Sequence, residues 1–363
     1  MTGPVLFVTH GSRSVGLGHV RRCLSLAAAL KKRSVECEFL LDADQGVAGI
    51  VTGSGFVCTT TKNVSSDPDE AVRRIRELAP AAVVADSYTF TTDYFRRLSG
   101  AGRPVVAIDD LENRSLPVAL VVNSRVGVGP GDYVRHVALE TRLLLGPAYA
   151  LLRPEFAQAP NRVVGTRISR VLLTLGGGDP ANLMPRLVRW VATELEWANL
   201  AIVAGPLFDN RDEIRAEAAA IGRRAAVHEQ PGDMRALMLE ADIAVSSGGQ
   251  TLFELAATAT PTVAVRLADN QTRSLGDFQR SRTLRWAGDA RDSDVEARVR
   301  HALRLAGDTQ TRRQMAEAGR KLVDGQGAAR VADVIVGIVA RDGIKHAATD
   351  IQCAVGARRE RTT

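Results

Sequence analysis

Short apolar runs, each followed by a stretch with helical spacing, recur along the whole chain, and this alternation constrains the fold more than any other feature. Residues 5–9, 81–85, 104–108 and 120–122 in the first half are near-continuously apolar, as are 170–175, 200–204, 241–245 and 262–265 in the second. Strands covered on both faces of a parallel sheet read this way. Between them, residues 19–32, 67–78, 91–98 and 211–221 carry apolar side chains at helical intervals. Asp67-Pro68-Asp69-Glu70 adds a helix-start signature, with a capping aspartate, an early proline and first-turn acids. The order strand, helix, strand therefore predicts an α/β fold of two Rossmann-like, doubly wound domains facing across a cleft. At 363 residues the chain exceeds one ordinary core. The expected division is 1–153, a less regular linker at 154–166, a second domain at 167–342, and a tail at 343–363 that mixes charges and small residues.

In such sheets, ligands bind beyond the carboxyl ends of the strands. That rule selects the loop from Gly11 to His19, the run Asp86-Ser87-Tyr88 and the pair Asp109-Asp110 in the first half. In the second half it selects Gly176-Gly177-Gly178-Asp179-Pro180 and Ser246-Ser247-Gly248-Gly249-Gln250-Thr251. Glycines let a backbone approach a ligand closely, and a helix start presents unpaired N–H groups to an anion. Glu254, one turn further in, is placed to accept hydrogen bonds from ribose hydroxyls. Each glycine stretch alone reads equally as a tight turn, and the two together are more specific. His19, after Gly16 and Gly18, can sit beside a bound anion or transfer a proton, or simply pack at its helix start. His10 reads as structural or substrate-lining. Asp86 can orient a histidine, bind a sugar hydroxyl or cap the next segment. Asp109 and Asp110 point to opposite sides if they continue a strand, so a turn is favoured over a paired-carboxylate site. Cys23, inside the first helix, reads as a buried cysteine.

Several function classes recede. Formal net charge is +6, yet the arginines are spread along helices and aromatics make up only 4%, so a nucleic-acid partner is not expected. The four cysteines form no CxxC pair, and the six histidines are scattered, so neither a metal site nor a cofactor is expected. No apolar run approaches a membrane span, and no secretory signal is visible, which points to the cytoplasm. Ser87 lacks the GxSxG elbow of a serine hydrolase.

Gly16-Leu17-Gly18-His19-Val20-Arg21-Arg22-Cys23-Leu24-Ser25-Leu26-Ala27 resembles the GxGHVxRCLxLA motif of the UDP-2,4-diacetamido-2,4,6-trideoxy-beta-L-altropyranose hydrolases of the pseudaminic acid pathway and their spore-coat polysaccharide relatives. Asp86-Ser87-Tyr88, Ile108-Asp109-Asp110, residues 145–156, 174–180 and 247–251, Ala268-Asp269-Asn270-Gln271, and Asp324-Gly325-Gln326-Gly327-Ala328-Ala329-Arg330 match in order. The resemblance implies a GT-B-type fold with the nucleotide in the C-terminal domain, and metal-free hydrolysis of a UDP-linked sugar to free sugar and UDP. It implies His19 as the base, with Asp86 and Tyr88 positioning sugar and water. Gly177, Gly248, Gly249, Gln250, Thr251 and Glu254 would hold the nucleotide. Gly16, Gly18, Asn270 and Gln271 would contact the sugar side. One departure stands out. The family's arginine–x–aspartate run after the first strand is replaced here by Val8-Thr9-His10-Gly11-Ser12, which changes the groups near the sugar. A related transferase, or a non-catalytic nucleotide-sugar-binding protein, remains an alternative reading.

Overall fold

The computed structural model describes residues 3–12 and 16–340, so the expected tail lies outside the described residues. The first sheet comprises β1 (Val5–Gly11), β2 (Cys37–Ala43), β3 (Val57–Thr61), β4 (Ala82–Asp86), β5 (Val105–Ile108), β6 (Leu120–Asn123) and β7 (Arg142–Leu145). Its spatial order is β3-β2-β1-β4-β5-β6-β7, with every pairing parallel. The helices between them are α1 (Gly18–Lys31), α2 (Gln45–Gly53), α3 (Pro68–Leu78) and α4 (Thr92–Ser99). The second sheet comprises β8 (Arg170–Thr174), β9 (Asn199–Ala204), β10 (Ala225–Glu229), β11 (Ile243–Ser247), β12 (Thr262–Arg266) and β13 (Leu284–Asp289). Its order is β10-β9-β8-β11-β12-β13, again all parallel. Its helices are α5 (Met184–Glu194), α6 (Arg211–Ile221), α7 (Met234–Glu240), α8 (Thr251–Ala257), α9 (Gln271–Arg280), α10 (Val295–Ala306) and α11 (Thr309–Leu322), followed by α12 over 327–340.

The two doubly wound α/β domains expected from the alternation are present. The continuous apolar strands are buried on both faces, as their composition demands. Val5 and Phe7 of β1 enter one apolar layer, while Leu6 and Val8 enter the other. Val171 and Leu173 of β8 likewise part from Leu172. Expected helix starts are realised in atoms: Asp67 accepts from Asp69 N–H at α3, and Thr91 accepts from Tyr94 N–H at α4.

Both sheets reverse direction of growth at their founding strand. β1 lies between β2 and β4, and β8 lies between β9 and β11. The carboxyl ends at these switch points carry the His19 loop and Asp86 in one sheet, and the Gly176 loop and Ser247–Thr251 in the other. Crevices for ligands form at such points.

Two differences from the sequence-based division follow from packing. Residues 154–166 do not form a loose linker. Phe156 is buried in the second domain, and the Arg162 guanidinium donates to the carbonyls of Ala241 (2.6 Å), Met238 (2.6 Å) and Thr258 (3.2 Å). Nor does all of 167–342 belong to the second domain. Ala328, Val331, Ala332, Ile335 and Val339 of α12 join the first domain's core beside Leu26 and Leu30 of α1. Arg33 donates to the Ala329 carbonyl (3.0 Å) and pairs with Asp333 (2.6 Å). The crossing is tight: a Cβ on Gly327 would lie 2.3 Å from the Ala150 carbonyl oxygen. Glycine at 327 is what admits that close approach.

Candidate active site between the two domains

A cavity of about 1200 Å³ lies between the domains, within the size range of small-molecule sites. All the site residues expected from the sequence line it except Asp86, which stands just behind its wall: Gly16, Gly18, His19 and Tyr88 on one side, and Gly177, Gly248, Gly249, Gln250, Thr251, Glu254, Asn270 and Gln271 on the other. Leu17 brings the walls together, since a Cβ on Gly177 would sit 3.4 Å from its Cδ1.

The first-domain wall is built on charge. His19 Nδ1 lies 2.7 Å from Asp86 Oδ1. An ionised carboxylate can only accept, so Nδ1 is the donor, and when the ring is neutral Nε2 is the nitrogen with the lone pair. Arg22, one turn on from His19, grips Asp86 with Nε to Oδ2 and Nη2 to Oδ1, both at 2.6 Å. Its third nitrogen, Nη1, donates to Asp110 Oδ2 at 2.6 Å. The Cys23 thiol stands 3.6 Å from Asp86 Oδ2, and Thr9 Oγ1 donates to the Asp86 carbonyl at 2.9 Å. Burial alone would raise the Asp86 pKa, but the charges of Arg22 and His19 and their hydrogen bonds outweigh it and hold the carboxyl well below the usual range. Arg22 is held well above its ordinary value: Asp110 and Asp86 overcome the desolvation that opposes it. The Tyr88 ring meets His19 edge-on at 4.4 Å, and its hydroxyl donates to Asp110 at 3.4 Å.

His10 stands behind this wall, buried, with its ring 5.0 Å from that of His19. Burial, reinforced by His19, lowers its pKa to about 4. Asp109 and Asp110 lie just past the end of β5, where the chain bends, and they diverge. Asp109 is buried and accepts from the Tyr133 hydroxyl (2.7 Å) and the Glu112 N–H (3.0 Å), while Asp110 lines the cavity.

The second-domain wall is built on backbone. Ser247 Oγ donates to the Leu175 carbonyl at 3.0 Å, tying the two glycine turns together. Gln271 Oε1 accepts from the N–H groups of Gly248 (3.3 Å) and Leu267 (2.9 Å), so this side chain braces the turn as well as lining the cavity. Gly248 is glycine because of packing: a Cβ there would lie 2.7 Å from Gln271 Cβ and 2.8 Å from Leu275 Cγ. Nothing lies within 4 Å of a Cβ on Gly249. Gln250 Nε2 reaches the Leu151 carbonyl at 3.3 Å, and Glu254 pairs with Arg153 at 3.3 Å. Arg21 of α1 adds its charge to this pair from the opposite wall.

Two elements of the site lie beyond what the sequence singles out. Arg22 enters there only as part of a motif, although it has a usable signal, since it lies three residues after His19 and so shares a helix face with it. Asp110 is singled out as a strand-end residue, but its partner Arg22 is not. The other element is a bridge between the domains: Arg125, after β6, bonds Glu112 (2.8 Å) and Asp277 of α9 (3.2 Å), and Arg273 of α9 pairs with Glu112 (2.5 Å). Its residues are far apart in the chain and only the fold brings them together.

The proteins to which the chain is similar in sequence include the following three. It is 25% identical over 284 residues to an uncharacterized protein of Methanocaldococcus jannaschii, covering 76% of this chain and 58% of that protein. It is 22% identical over 331 residues to the spore coat polysaccharide biosynthesis protein SpsG of Bacillus subtilis, covering 90% and 95%. It is 23% identical over 290 residues to the Helicobacter pylori protein named pseudaminic acid cytidylyltransferase and UDP-2,4-diacetamido-2,4,6-trideoxy-beta-L-altropyranose hydrolase, covering 77% and 49%. The chain is a homologue of these proteins. It spans about half the length of the Helicobacter relative and 58% of the Methanocaldococcus one. No family model matches the chain. Among solved structures, Acinetobacter baumannii MurG aligns with a TM-score of 0.64 at 16% identity, over 92% of this chain and 99% of that one. Staphylococcus aureus MnaA, solved with UDP, aligns with a TM-score of 0.62 at 14% identity, over 90% and 95%. These likenesses establish the GT-B fold. No described helix is long and apolar enough to cross a membrane.

Proposed function

We propose that this homologue of nucleotide-sugar proteins hydrolyses the anomeric bond of a UDP-linked amino or deoxy sugar, releasing free sugar and UDP. The observation that carries the reading is the 2.7 Å bond between His19 Nδ1 and Asp86, set across the cavity from the paired glycine turns. His19 Nε2 takes a proton from water as the water oxygen bonds to the anomeric carbon. The bond from that carbon to the diphosphate oxygen breaks, and its electron pair leaves with UDP. N–H groups at the Gly249–Thr251 turn and the Gly176–Gly178 loop receive the diphosphate charge. Glu254 holds the ribose; Tyr88, Asn270 and Gln271 face the sugar. Asp86 fixes the imidazole tautomer and balances the charge His19 acquires, and Arg22 keeps Asp86 ionised and in place.

A second reading has its own support. The cavity continues past His19 along α1, by Ser25 and Ala28, to Lys31, Lys32 and Phe56. That extension has room for an acceptor larger than water, as a glycosyltransferase needs. Incubation of the purified protein with UDP-amino sugars separates the readings. Release of UDP and free sugar without an acceptor is expected, with oxygen from labelled water found in the sugar and not in UDP. Release that requires an added acceptor would establish transfer instead, and binding without release would leave a nucleotide-sugar-binding protein.

A further inference from the structure

A second cavity, of about 660 Å³, lies in the C-terminal domain between β13, α10 and α11. Its apolar lining includes Leu284, Ala302, Leu305 and Met315. Its charged lining is all of one sign, Arg282, Arg285 and Arg298, with His301 beside them and no acidic residue among the lining side chains. Arg298 is neutralised by Asp292 and Asp294. Arg285 is not: its Nε is buried and has no hydrogen-bond partner among the described residues. No carboxylate pairs with the Arg285 guanidinium among the described residues, so its charge is left for an anion in the cavity to meet.

The cavity also has a mechanical connection to the active site. Gln279, near the C-terminal end of α9, lines it, and Gln279 Oε1 accepts from the Trp286 N–H of β13 at 2.8 Å. At the other end of the same helix, about 12 Å away at 1.5 Å per residue, Gln271 braces the Gly248 turn. Between them, Arg273 and Asp277 hold the first domain through Glu112 and Arg125. One rigid helix thus touches the second cavity, the diphosphate turn and the opposing domain.

We propose that this cavity is an effector site for a small organic anion with a flat or apolar body, and that its occupancy is felt at the nucleotide turn through α9. The anion pairs with Arg285, its body covers Leu305 and Met315, and the wall it presses on includes Gln279. The coupling rests on the nucleotide reading above; the site itself does not.

Anilinonaphthalene sulfonate, an aromatic anion, is the probe, titrated by fluorescence into the full chain with UDP present to occupy the main cleft. Arg285→Gln and the cavity-filling Ala302→Phe are each expected to weaken probe binding at least tenfold. Melting of Arg285→Gln should occur no lower than in the parent, because the side chain removed had no partner to lose. Probe binding unchanged in both variants would overturn the site. Calorimetric titration of UDP, with and without the probe, then reads the coupling. A change of at least threefold in UDP affinity is expected, and by linkage UDP alters probe affinity by the same factor. An unchanged UDP affinity overturns the coupling alone. If UDP does not bind at all, the nucleotide reading fails, while the probe titration on the two variants still decides the site.

Discussion

The two walls of the cleft solve opposite problems with the same topology. Each is the carboxyl edge of a parallel sheet at its switch point. The first-domain wall is a largely buried ionic network in which Asp86 accepts from His19 and twice from Arg22, and Arg22 reaches on to Asp110. The second-domain wall places few charges at its turns and offers backbone, braced by Ser247 and Gln271. A wall that moves a proton needs side chains whose protonation is controlled by neighbours. A wall that grips a diphosphate needs N–H groups held at fixed positions. The contrast makes mutations on the two sides separable: the first wall should govern turnover and pH behaviour, the second nucleotide affinity.

The largest separation is expected from His19→Ala. Turnover of a UDP-amino sugar should fall by about a hundred- to ten-thousand-fold, the usual worth of a general base, while calorimetric UDP affinity changes less than about threefold. Equal losses in both would break the division between the walls. Asp86→Asn is next. It leaves Arg22 with one carboxylate, Asp110, and should lower folding stability by about 3 kcal/mol, as breaking a buried ion pair does, measured by urea denaturation. It should also reduce turnover by disturbing the tautomer of His19. A variant that melts like the parent would show that Asp110 alone suffices to hold Arg22.

His10 supplies a pH test. Its folded pKa is lowered to about 4, against 6.5 for the free side chain. Between those values the unfolded chain binds the extra proton and the folded one does not, so stability falls as pH drops from about 6.5 towards about 4. The loss amounts to about 3 kcal/mol over that window at 1.36 kcal/mol per pH unit. His10→Gln should flatten this part of the stability–pH curve, and an unaltered slope would assign it to other groups. On the opposite wall, Gly248→Ala forces a Cβ into Gln271 and Leu275 and should weaken UDP binding by about tenfold, within the 1–3 kcal/mol typical of overpacking. Gly249→Ala meets no protein atom and should leave stability unchanged within about 0.5 kcal/mol. Any loss of UDP affinity in Gly249→Ala would then report a ligand lying against that position.

Much of this was legible in the chain because it is local. A parallel strand buried on both faces has to be apolar throughout, so β1, β4, β5, β8 and β11 announced themselves, and strand-end rules located both glycine turns and His19. Elements with weaker local signals were not seen. α2 carries Gly46, Gly49 and Gly53, which disfavour helix, although Asp44 caps it by accepting from Val47 N–H. β7 and β13 are edge strands, and their residues are partly exposed.

By itself the sequence determined the alternation, the two sheets, the glycine turns and the presence of a histidine at the head of α1, since each depends on neighbours a few residues away. Tertiary structure decided which partners those residues have. Asp86 meets His19 and Arg22 across 67 and 64 residues of chain, α12 returns to the first domain, and Arg125 joins Asp277 across 152. No local pattern encodes such pairs, because the energy that makes them comes from burying charge against charge once two distant segments have been packed side by side.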